Sequence, residues 1–530
     1  MRTPSPLAVL LIATLGTPLA AQEHQHHGDG GQVGRVTFPT SCRPDVAPRF
    51  EQAVAMLHSF WFEQAEAAFK EVAEQDPGCA MAHWGVGMTL LGNPMARFSP
   101  SAEHLAEGLA AAEKAAELGR EVTPRERGYI DAALALYRDH DTVDFPARMK
   151  LHEEAMKAVY DEFPEDPEAA IFYGRAIVAN APPTDMTFAR QIHAGEIMEP
   201  LFEKYPDHPG LAHYIIHAFD APAVARHGLE AARRYAAIAP AAPHALHMPS
   251  HIFTRLGYWD ESIETNSRSA QAEPNPDAAV HPMDYMVYAY LQQGRDAAAR
   301  EVVERAVNLP TRFYGGTLGY NFAAMPARFA LERASWQDAA NLTVPTGALP
   351  HVEAITRFAR AIGAARGGDA PSAEKEVEAL EVLGEKLEAS NDAYWSTIVE
   401  AQRLTAAAWV AHSRGDEASA VQLARDAAAL EETVEKHPVT PGPLLPAREL
   451  EADLLMELGR PAEALASYEK TLEREPRRAR ALFGAARAAE QSGNDSKART
   501  LYGELAELMS GADPDRPEPA AAREYLAKHG

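Results

Sequence analysis

The chain has 530 residues, 46% of them hydrophobic and 8% aromatic, with 76 acidic against 50 basic side chains and a formal charge of −26. That composition belongs to a well-cored protein, and so acidic a balance, with no local run of lysines or arginines, repels phosphate backbones and anionic lipid surfaces. Nucleic acid is therefore not expected as a partner.

At the N-terminus, Arg2 precedes an apolar run over 7–19, the length of a signal-peptide core and too short for a bilayer. Ala20 and Ala21 then give way to the polar stretch QEHQHHGDGG. Residues 1–21 read as a signal peptide, so the mature chain is expected in the periplasm or secreted. Residues 22–45 read as a flexible, His-rich arm. Cleavage after Ala21 would leave Gln22, Glu23 and His24 at the new terminus, an arrangement similar to the amino-terminal copper and nickel motif; a leader with no function is the other reading. No later segment has the roughly 18 uninterrupted apolar residues of a membrane span.

Cys42 and Cys79 flank the first expected helix pair. In an oxidising compartment they either close a disulfide, worth about 4 kcal/mol in chain entropy for such a loop, or stay as two buried thiols. Residues 46–340 then show a recurring pattern: Ala65, Phe69 and Pro77; Ala155, Val159 and Pro167; Ala231, Tyr235 and Pro243. Two insertions, 91–101 and 179–187, carry Pro and Asn and are expected as loops over a groove. Within the same region His213, His247 and His281 stand 34 residues apart, and His217, His251 and Tyr285 repeat that interval.

Residues 341–446 read as looser repeats, with Pro-rich stretches at 342–350 and 437–446 marking joints between sub-arrays. In 447–530 the period is plainest: Gly459 and Gly493, Ala464 and Ala498, Tyr468 and Tyr502 are each 34 residues apart, before a terminal capping helix. Period-two alternation is not sustained anywhere, so strands are expected to be negligible.

From about Val46 onward the chain resembles the tetratricopeptide-repeat superfamily, most strongly between Gly459 and Tyr502. The resemblance implies an all-α fold, a right-handed superhelical α-solenoid of roughly ten helix pairs whose first helices line the concave surface. It also implies a scaffold that binds a protein segment, peptide or small ligand in that groove.

On such a scaffold, equivalent residues of successive first helices stack side by side, so HYIIH and HMPSH would bring four imidazoles together. Histidines at i and i+4 share a helix face, and imidazole is a common ligand for Zn, Cu and Fe. His213, His217, His247, His251 and His281 are therefore the candidate metal ligands, with His58, His83, His244, Asp284 and Tyr285 as further groove residues. Against this, histidines beside Pro209, Pro249 and Pro282 can simply cap turns, and Pro249 can break the helix between His247 and His251. The H-E-x-x-H pattern of metalloproteases is missing, because Tyr214 and Met248 occupy the acid's position. No catalytic residue is assigned. Two readings stand: a binding scaffold with a histidine-lined groove, and a transition-metal protein.

Overall fold

The computed structural model describes residues 31–529 apart from 311–313 and 316–317. The expected signal peptide and the Gln22, Glu23 and His24 motif lie outside the described residues. Among those described, the regular structure is helical, with no strand.

Local chemistry sets the helix boundaries. Proline opens first helices at Pro124, Pro167, Pro209 and Pro243, where the missing N–H would be unpaired anyway. Thr123 and Glu126 form a reciprocal capping box at the start of Pro124–Tyr137. Gly257 and Gly459 end their helices with φ of 69° and 68°, a left-handed conformation that glycine adopts without strain.

Small residues bring the paired helices together. A methyl group on Gly85 would lie 2.4 Å from the Phe69 ring, and one on Gly484 would lie 2.2 Å from the Tyr468 ring. In both places the second helix lays an aromatic ring on the backbone of the next first helix. Contacts of this kind help build the apolar core of an α-solenoid, whose two large clusters lie over 33–253 and 259–525.

Residues 31–45 depart from the flexible arm expected of them. Val33, Val36 and Phe38 are buried, and the Arg35 and Ala241 amides bond the carbonyls of Asp207 and Gln32. Alternating apolar side chains give this segment enough surface to dock, and Arg125 lies over the Phe38 ring at 4.5 Å. A Cys42–Cys79 disulfide ties its end to the first helix of the second repeat.

The solenoid also closes on itself. Trp259 Nε1 donates to Arg477 O, the Ala479 amide to Gln292 Oε1, and the Asp513 amide to Gly294 O. The Pro-rich stretch 437–446 is no joint: it crosses the concave face as a strap. Tyr285 Oη donates toward Pro438 O and Thr440 O, while Arg328 donates to Pro443 O and Gly442 O. Prolines suit that path because a strap outside any helix has no helical bond to lose.

Candidate functional site

Three consecutive first helices carry the histidines: Pro209–Ala218, the pair Pro243–His247 and Pro249–Leu256, and Val280–Gln292. Pro249 does divide the middle helix. Met248, however, keeps φ −52° and ψ −36°, so the backbone runs on in helical conformation and His247 and His251 still share a face. Their Nε2 atoms are 3.0 Å apart.

Six imidazoles fall into two sets of three. In His213, His217 and His244, one ring nitrogen from each lies within 4.8 Å of the others, and the same holds for His247, His251 and His281. The sets adjoin, with ring centroids 6.1 Å apart for both His217–His251 and His244–His247.

In the second set hydrogen bonds fix the tautomers of His247 and His251. His247 Nδ1 meets Asn266 Oδ1 at 2.6 Å, and the Asn266 amide nitrogen is spent on Ser262 O, so Nδ1–H of His247 must donate. His251 Nδ1 donates to Asp220 Oδ2 at 2.8 Å. In their neutral forms His247 and His251 therefore each present a bare lone pair on Nε2. The buried Nδ1 of His281 has no partner. The lone pairs of His247 and His251, 3.0 Å apart, repel each other unless a cation lies between them.

Burial keeps the rings neutral. It pushes His213, His217, His244, His247 and His281 well below the ordinary imidazole range, and the neighbouring imidazoles push the same way. His251 is also lowered, burial outweighing Asp220. Burial alone would raise Asp220, but Lys436, His251 and Arg255 hold it well below the usual carboxylate range.

In the first set, His213 Nδ1 donates to His58 O at 2.6 Å, leaving its Nε2 bare 3.1 Å from His244 Nε2. Nε2 of His217 is buried without a partner. A cavity of about 290 Å³ opens onto His217, His244, His247, His251 and His281, with strap residues His437, Pro438 and Val439 as its roof.

A tetratricopeptide repeat family model matches residues 450–517. Those residues carry tetratricopeptide repeats. No curated protein matches it. Among solved structures, the human IFIT1 dimer with PPP-AAAA is similar at 12% identity and a TM-score of 0.38, over 87% of this chain and 90% of that one. A tetratricopeptide repeat protein from Parabacteroides merdae is similar at 13% and 0.29, over 54% of this chain and 97% of its own. Yeast Tom70 is similar at 12% and 0.29, over 91% and 88%. Likenesses so distant carry no argument about a ligand.

The other candidate residues separate. His244 joins the first imidazole set. His58 does not line the groove: it is fully buried, with Nε2 donating to Glu168 Oε2 at 2.9 Å and Nδ1 accepting from Tyr214 at 3.1 Å. His208 donates to the other Glu168 oxygen at 2.8 Å, so both carboxylate oxygens are satisfied. Burial opposes that charge, but His58 and His208 hold Glu168 far below the usual carboxylate range. His83 is partly buried on Ala80–Leu90 and belongs to neither set.

Asp284 is fully buried and bonds Arg328 at 3.2 Å, steadying the guanidinium that holds the strap. Tyr285 lies between strap and imidazoles, 3.4 Å from both ring nitrogens of His251. Sequence reasoning missed Asp220 and Asn266, which orient the rings. Asp220, three residues after His217, offered the nearest signal.

Proposed function

We propose that this protein binds transition-metal ions in its groove on the two imidazole sets, with His247, His251 and His281 as the better-ordered site. The facing, proton-free lone pairs of His247 and His251 carry the reading. Their 3.0 Å separation is close to the span between two ligands bonded to one ion at about 2.0–2.1 Å and near-right to tetrahedral angles. Asn266 and Asp220 act as the outer partners that orient metal-binding imidazoles. An all-imidazole donor set suits Cu or Zn better than Fe, whose usual open sites add a carboxylate.

Tetratricopeptide scaffolds bind proteins, and a partner role remains part of the proposal for other surfaces of this chain. At the histidines, an incoming peptide would first have to displace the strap. The Cys42–Cys79 disulfide is in keeping with the exported location proposed from the N-terminal sequence.

The test uses protein made without a histidine tag, stripped, reconstituted with Cu(II) or Zn(II), desalted and measured by elemental analysis. Wild type is expected to retain about two ions per chain and His251→Ala about one. Retention below about a tenth of an ion by the folded wild type ends the metal reading.

A further inference from the structure

A second cavity, of about 360 Å³, lies on the other side of His217. It shares Ala96, His217, His437 and Pro438 with the cavity over the imidazoles. Its volume is in the range of pockets that enclose small organic ligands.

Its chemistry is specific. Aromatic rings gather around His437: Trp395, Tyr394 and Phe98 have centroids 5.4, 5.7 and 6.1 Å from it. Phe98 is 42% exposed, one of the few large apolar side chains left uncovered. Beside it Arg97 donates to Ala181 O at 2.5 Å, and among the described residues that guanidinium has no carboxylate partner. The lining carboxylates are otherwise engaged. Asp220 bonds His251, Arg255 and Lys436; Glu435 bonds Arg255; Asp392 caps the helix Ala393–Ser413. Among the described residues Arg97 is thus the one lining cation without a counter-charge, in a wall that already holds three acids.

The backbone is strained in the same place. Seven non-glycine residues among those described have positive φ, and three of them, Arg97, Phe188 and Asn391, line this cavity. Such conformations cost of order 1 kcal/mol each and gather where a side chain must be aimed. Gln191 Oε1, also on this wall, is buried without a partner.

We infer that this cavity seats a small aromatic monocarboxylate, its carboxylate on Arg97 and its ring among Phe98, Tyr394 and His437, next to the His217 edge of the imidazole sets. A flat carboxylate matches the guanidinium fork, and the aromatic walls match a flat ring. A dianion is disfavoured by Asp220, Glu435 and Asp392. The seat itself rests on Arg97 and the aromatic walls; only the meaning of its place beside His217 rests on the metal reading.

The experiment is calorimetric titration of the full chain, metal-free and Cu(II)-loaded, with benzoate and its neutral analogue benzamide. Benzoate is expected to bind both forms, benzamide about tenfold or more weakly, and benzoate should shift the visible Cu(II) absorption. Arg97→Gln should weaken benzoate about tenfold while leaving benzamide unchanged. Phe98→Ala, at an exposed position that folding does not require, should weaken both. No benzoate binding to either wild-type form overturns the inference while elemental analysis still reports metal. Equal loss of benzoate and benzamide in Arg97→Gln also overturns it. If copper is not retained but benzoate binds with the Arg97 dependence intact, the metal reading fails and the anion site is supported.

Discussion

The groove over 209–292 and the C-terminal repeats over 450–517 are built on one pattern and filled differently. In both, a turn proline is followed seven and eleven residues later by the positions that face the neighbouring repeat. After Pro206, Pro240 and Pro274 these are His213 and His217, His247 and His251, His281 and Tyr285; after Pro476 they are Phe483 and Arg487. The C-terminal pair lays its guanidinium over its own ring, 5.6 Å from the centroid, an arrangement needing nothing from outside. The groove holds buried nitrogens with no hydrogen-bond partner at His217 and His281. A scaffold that can satisfy these positions internally does so at one end and leaves them open at the other, so the open end is where a ligand is to be sought.

The sharpest way to break the comparison is to disturb the self-satisfied region. Arg478 is fully buried and bonded to Glu449 at 2.6 Å and Glu332 at 2.7 Å. Arg478→Leu should lower unfolding stability by about 3–5 kcal/mol, read by chemical denaturation, because it strands buried charge. Metal retention by the remaining folded fraction should not change. A parallel fall in metal per folded chain would show that the two regions are not separable.

A smaller effect is expected from Asp220→Asn. The amide can still accept from His251, but the charge that supports the ring is gone. Metal affinity should fall about tenfold in a chelator competition, the range typical of outer partners. An unchanged affinity would place the ion away from His251.

The smallest effect concerns Glu431, which burial raises from 4.5 to about 7, beside the strap's end at Ala447. Its unfolded form loses its proton first, so stability should fall as pH rises between about 4.5 and 7 and level off above. Glu431→Gln should remove that slope and stabilise the chain by about 1 kcal/mol at pH 8, read as a pH series of denaturant midpoints. An unaltered slope would assign it to other groups.

Much of this was legible in the sequence because repetition exposes it. The 34-residue spacing of Gly459 and Gly493 declares the fold, and the same spacing in His213, His247 and His281 declares the ladder. His244 was visible only as a neighbour, since its role depends on a 3.1 Å approach between successive helices. The strap was misread as a joint because proline content signals an absence of helix, and nothing local says where a non-helical segment will lie. Lys436 reaches Asp220 across 216 residues, a pairing no periodic pattern encodes. Residues 31–45 were misread for a related reason: glycine and histidine upstream suggested looseness, while Val33, Val36 and Phe38 supplied the grip.

The strap also sets a timetable. Synthesis runs from the N-terminus, so the imidazoles emerge and their helices can pack long before Lys436 and Pro438 exist to cover them. Until then the basin is roofless and open to whatever ions the surroundings offer. Once the last repeats arrive and the segment drops into place, an ion bound there as proposed would lie beneath a strap held by Tyr285 and Arg328. Occupancy in the finished molecule would then reflect what was available during its making more than what surrounds it afterwards.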